Sequence, residues 1–168
     1  MKYKIKENSE TWVALMQLAK RITDVNNKAA ELADSVGATN YCRSQNGIGG
    51  GIAALEFKVK PEGYKKVGSS WDKLYYPKAS NKELSQQIAE LPIIRASELN
   101  EILVFKAPQV IPSKGLSLMM VSAPSVIWDD TQIIIDIPNG CKYDPPSDVI
   151  EILESKYQRI KEQIQAKK

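Results

Sequence analysis

The sequence predicts an α+β fold: an antiparallel sheet with long N- and C-terminal helices and two short helices in the middle. Three observations carry that expectation. Apolar residues recur at alternating steps of three and four in the first 36 or so residues and again near the C-terminus, which is the helical period. Between these stretches, runs of period two follow one another through short turns, as consecutive antiparallel strands do. The apolar fraction of 43% and the charged fraction of 26% leave enough apolar side chain for a real core. We read residues 1–168 as one α+β domain, with residues 1–37 able to protrude or to oligomerise as a helix.

The first helix is expected from Ser9 to about Val36, with Leu15, Leu18, Ile22, Val25, Ala29, Leu32 and Val36 on one stripe. Asn8 or Ser9 can cap its start and Gly37 its end. Trp12 and Met16 widen the apolar face, while Asn26 and Asn27 interrupt any second one. Ala53, Leu55, Phe57 and Val59 alternate with Ala54, Glu56, Lys58 and Lys60, as in a strand with one wet face. Pro61-Glu62-Gly63 turns the chain, and Pro77 is expected to limit regular structure between Tyr64 and Lys78.

Ser80-Asn81-Lys82-Glu83 has the form of a capping box, predicting a helix from Asn81 to Leu91 that stops at Pro92. Ser97 can cap another short helix through Leu99, Ile102 and Leu103. Leu116–Val121, Val126–Trp128 and Thr131–Ile137 read as strands, the last two joined by an Asp129-Asp130 hairpin turn. Pro145-Pro146-Ser147-Asp148 is expected to open the final helix, with Ile150, Leu153, Tyr157, Ile160 and Ile164 on its stripe. Lys167 and Lys168 complement the negative end of that helix.

The chain has no histidine, so the residue most used for proton transfer near neutral pH and the commonest metal ligand is missing. Cys42 and Cys141 form no CxxC pair, and a zinc site would need four thiolates, so two buried thiols in a reducing cytosol are expected. Asp129, Asp130 and Asp136 can offer oxygen ligands to Mg²⁺, but the first two belong to the predicted turn. We therefore expect no catalytic residue, no metal and no cofactor. A net charge of +3 is too mild to demand a nucleic-acid partner. No stretch reads as a signal peptide or a bilayer span, which favours a soluble cytoplasmic protein with no membrane partner.

The main local signature is the glycine cluster Asn46-Gly47-Ile48-Gly49-Gly50-Gly51-Ile52. Glycine lets backbone approach a ligand, and successive N–H groups can form an anion-binding nest. Familiar phosphate loops run from strand to loop to helix, whereas this cluster follows a helix and enters a strand. It reads either as a flexible connection or strand bulge, or as a ligand loop. In the second case Arg43, Ser44, Asn46, Gly47, Gly49, Gly50 and Gly51 are the binding residues, and Arg43 pairs with the anion. An alternative binding surface is Lys65, Lys66, Trp71, Lys73, Tyr75, Tyr76 and Lys78, whose mixed cations and aromatics suit single-stranded nucleic acid or a nucleotide. The same aromatics can equally fill a sheet face while the lysines stay wet.

Pro61-Glu62-Gly63-Tyr64-Lys65-Lys66-Val67, Tyr75-Tyr76-Pro77-Lys78 and Leu91-Pro92 together resemble a pattern in small uncharacterised proteins of tailed bacteriophages. The resemblance covers a small part of the chain and brings no catalytic residues. It implies an accessory protein in the cytoplasm of an infected bacterium, of the kind that counters a host defence by sequestering a signal nucleotide or by binding a defence protein. The partner is then a small anionic ligand or a host defence protein. A nucleic-acid-binding protein using segment 64–78 is a second expectation. An assembly protein built on helix-mediated oligomerisation is a third, and a metal-dependent phosphoryl-transfer enzyme stands last. The two apolar helical stripes suggest a homodimer.

Overall fold

A computed structural model describes residues 1–67, 73–112, 115 and 117–167. In chain order the elements begin with β1 (Lys2–Ile5), α1 (Glu10–Ser35), β2 (Asn40–Cys42), β3 (Gly47–Gly50), β4 (Ala54–Glu56), β5 (Tyr64–Lys66) and β6 (Leu74–Pro77). There follow α2 (Lys82–Glu90), β7 (Ile93–Arg95), α3 (Ala96–Leu103), β8 (Gln109–Pro112) and β9 (Leu118–Val121). The last elements are β10 (Ser125–Trp128), β11 (Ile133–Asp136), β12 (Val149–Ile152) and α4 (Glu154–Ala166). All strand pairs are antiparallel, so the mixed α+β class stands. The chain divides into two compact units, one made of Met1–Ala19 with Ala96–Lys168, the other of Lys20–Arg95.

The first unit is built on a sheet of order β10-β11-β1-β12. Ile133, Ile134 and Ile135 of β11 are all buried, because both faces of this inner strand are covered. Ile134 packs with Tyr157, Ile160 and Ile164 of α4. In β1, Tyr3 and Ile5 are buried while Lys2 and Lys4 are half-buried, a period-two pattern in a strand our sequence reading did not include. The turn between β10 and β11 falls at Asp129-Asp130 as expected. Its Asp129 Oδ1 accepts the N–H groups of Thr131 (2.8 Å) and Gln132 (2.7 Å).

The final helix is shorter than expected. Val149–Ile152 is a strand, paired with β1 through Lys4 and Ile150, and α4 begins only at Glu154. Three β-branched residues in four favour the extended conformation, and β1 supplies the ladder that makes it pay. Ile150 and Leu153 are consequently exposed instead of lying on the helical stripe. Asp148 does not open α4 either; its Oδ2 accepts the backbone N–H of Thr11 at the start of α1. Lys167 reaches Asp129 at 3.0 Å, an ion pair with the hairpin turn.

The second unit holds a sheet of order β2-β4-β6-β5. Leu55, Phe57, Tyr64 and Tyr75 pack with Ala29 and Ala33 of α1 and with Leu84 and Ile88 of α2. Small alanines let α1 lie close to the sheet, and the rings fill the space they leave. The segment expected to be irregular therefore contains two strands, with Pro77 closing β6 opposite Tyr64. A proline at a strand end does not interrupt the ladder. The strand alternation around Leu55 is shorter than read: Ala53 and Val59 are exposed, since β4 stops at Glu56. The helix after Lys78 has Asn81 at its N-cap with no side-chain capping bond, so the Ser80 box is not formed. Cys42 is exposed and Cys141 buried, both free; the expectation of two buried thiols fails at Cys42. The α1 stripe is used within the chain, with Leu15, Leu18, Val25 and Ala29 buried.

Candidate functional site

Residues 43–46 turn the chain from β2 into β3, and Gly47 N–H closes the turn on Ser44 O at 3.1 Å. Asn46 has φ +60°, a left-handed conformation that asparagine tolerates better than most residues. Strand β3 pairs with β7 through Gly47 and Arg95, then Gly49 and Ile94, with a register shift between Gly47 and Gly49. The extra residue is a bulge at Ile48.

The glycines serve this packing. A Cβ on Gly50 would lie 2.0 Å from Pro92 O, and one on Gly49 would lie 3.1–3.2 Å from Ile22 and Val25 of α1. A Cβ on Gly51 would lie 3.0 Å from Ser44 Oγ. Gly49, Gly50 and Gly51 are buried, and the Gly50 N–H donates to Asn26 Oδ1 at 2.9 Å. Asn26, read only as an interruption of an apolar face, thus satisfies the backbone of the glycine strand.

Arg43 and Asn46 are exposed at the turn, while Ser44 and Gly47 are half-buried. Arg43 Nη1 donates to Ile48 O at 3.3 Å. Arg95 Nη1 donates to Gln45 O, also at 3.3 Å. Two guanidinium groups are therefore anchored within four residues of one another, Arg95 on Gln45 O in the turn and Arg43 on Ile48 O at the bulge that follows it. Among the described residues neither forms an ion pair with a carboxylate. Each keeps further N–H donors in a planar fork, the arrangement that suits bidentate contact with phosphate or carboxylate. Arg95 was missed in the sequence because only the β3–β7 pairing brings it to residues 50 positions away.

The alternative segment is divided by its sheet. Lys65, Lys66, Lys73 and Lys78 are exposed, but Tyr75 is buried with Tyr64. Their rings stand 6.2 and 5.0 Å from that of Phe57. Tyr76 is half-buried opposite Lys65, and Trp71 lies outside the described residues. The acidic candidates are engaged elsewhere. Asp136 pairs with Lys2 at 2.7 Å. Burial alone would raise the Asp129 carboxyl, but the Thr131 and Gln132 N–H groups, the Lys167 ammonium and the Thr131 hydroxyl hold it down at about 2. Among the described residues no group of three or more Cys, Asp or Glu is placed to hold a metal ion.

No family model matches this chain, and neither does any curated protein or solved structure. No helix among the described residues is long and apolar enough to cross a membrane.

Proposed function

We propose that this is a non-enzymatic accessory protein, of the phage kind its short motifs resemble, that counters a host defence by holding a small nucleotide signal at the 43–48 turn. The observation that supports the reading is the pair Arg43 and Arg95, each tied by one N–H to a carbonyl of that turn and free of carboxylate partners among the described residues. Two anchored forks lose less freedom on meeting a phosphate than two unrestrained side chains would. The buried glycines hold the turn against α1, and the contacts to ligand belong to Arg43, Arg95, Ser44 and Asn46. The wet lysines of segment 64–78 lend less to the nucleic-acid alternative, because Tyr64 and Tyr75 are committed to the core.

Calorimetry of the full chain against mono-, di- and cyclic nucleotides tests the reading. At least one is expected to bind, with Arg43→Ala and Arg95→Ala each weakening it by about 1.5–3 kcal/mol, the range for hydrogen bonds to charged groups. A wild-type chain that binds none of them would reject it.

A further inference from the structure

In the first unit a cavity of about 720 Å³ lies between residues 104–109, which link α3 to β8, and residues 142–144. That volume suits a small organic molecule. One side chain fixes both walls. Gln109 Nε2 donates to the carbonyls of Lys106 (3.0 Å) and Lys142 (2.8 Å), and Gln109 Oε1 accepts the Lys142 N–H at 2.7 Å. Lys106 and Lys142 are thus held on one cavity, and neither ammonium forms an ion pair with a carboxylate among the described residues. Asp144 is the single acid among the lining residues, so the lining is net positive. Val104, Pro108 and Tyr143 add apolar surface, and the Tyr143 hydroxyl is already used, donating to Leu103 O at 2.8 Å.

Val104 is an independent observation at the same place. Helix α3 ends in a Schellman turn, with the Phe105 N–H donating to Asn100 O at 2.8 Å and the Val104 N–H to Glu101 O at 3.2 Å. The left-handed corner of that turn is Val104, at φ +54°, where glycine is usual and a β-branched residue is an outlier. The turn's hydrogen bonds do not need this side chain, and the core does not use it, since Val104 is 58% exposed. Its strain holds an apolar group on the cavity, and strain of this kind clusters at ligand sites.

We infer that this cavity binds a small organic anion: an apolar, ring-sized body carrying one acid group, with Lys106 and Lys142 on the acid and Val104 and Pro108 against the body. None of these residues belongs to the 43–48 turn, so the two sites stand or fall separately.

Fluorescence titration of the full chain with anilinonaphthalene sulfonate, an aromatic monoanion, tests this. Saturable binding of one dye per chain is expected, with displacement by benzoate or by phenyl phosphate telling carboxylate from phosphate as the favoured acid. Lys106→Glu and Lys142→Glu are each expected to weaken the dye about fivefold or more, and Asp144→Asn to tighten it, with unchanged circular dichroism spectra. Val104→Gly separates binding from folding. It is expected to raise the urea midpoint, because the left-handed strain it relieves exceeds the chain entropy that glycine adds, and yet to weaken the dye about threefold or more. Arg43→Ala is expected to leave dye affinity unchanged. Absence of saturable binding overturns the inference, as does a dye that neither competitor displaces. So do lysine variants or Val104→Gly binding like the wild type, a Val104→Gly midpoint that falls, or dye binding lost with Arg43.

Discussion

Asp148 caps α1 from far along the chain: its Oδ2 accepts the N–H of Thr11, 137 residues earlier, at 3.1 Å. The bond ties the segment leading into β12 to the first turn of α1. It satisfies one of the donors a helix N-terminus leaves open and sets a negative charge against the positive end of the helix dipole.

Replacing Asp148 with Ala is expected to cost about 0.5–2 kcal/mol in urea unfolding, the range for a lost N-cap. Asp148→Asn keeps an acceptor oxygen and is expected to retain most of that stability. Equal losses in the two variants would show that charge, and not the hydrogen bond, carries the effect.

Acid is expected to unpick the Asp129 turn. The folded carboxyl titrates at about 2 against an ordinary value of 3.8, so its stabilisation is complete above the ordinary value and disappears as pH falls from about 4 towards 2. Melting temperatures of wild type and Asp129→Asn should therefore differ most at pH 5 and above, and converge near pH 2, both approximate bounds. A constant difference across that range would contradict the assignment.

Two glycines with similar backbone angles should respond differently to alanine. Gly37 (φ +79°) has open space at its Cβ position, so Gly37→Ala is expected to cost only the left-handed strain, about 1–2 kcal/mol. Gly50 (φ +67°) adds a clash with Pro92 O, and Gly50→Ala is expected to lose more than about 3 kcal/mol or to fail to fold. Denaturant midpoints of the two variants check the contrast.

At the 43–48 turn, Arg95→Lys is expected to weaken nucleotide binding nearly as much as Arg95→Ala. Lysine keeps the charge but lacks the planar fork that holds Gln45 O and offers paired donors. Calorimetry showing wild-type affinity for Arg95→Lys would reduce the role of Arg95 to charge alone.

The helices were legible where period and punctuation agreed. In α1 the three-and-four spacing runs unbroken to Gly37; α3 is found where expected but starts at Ala96, so Ser97 lies inside its first turn and does not cap it. β12 was not legible, because Ile150 and Leu153 extend the spacing of Tyr157, Ile160 and Ile164 as well as any helix would. Only the ladder to Lys4 decides for strand, and no local window contains it. The candidate site divides in the same way. Arg43 lies beside the glycines in sequence, but Arg95 joins it through a pairing between distant strands. The glycines were visible as a special backbone, yet their partners Val25, Asn26 and Pro92 decide that the space beside them is filled.

The position of β1 between β11 and β12 has a consequence for how the chain is made. Both neighbours lie downstream of residues 20–95, so Tyr3 and Ile5 have no sheet to enter until that whole stretch has been made. Residues 20–95 are contiguous and contain all the pairs of their own sheets. None of those pairs waits for the N-terminal strand, so these sheets can form while β1 is still unpaired.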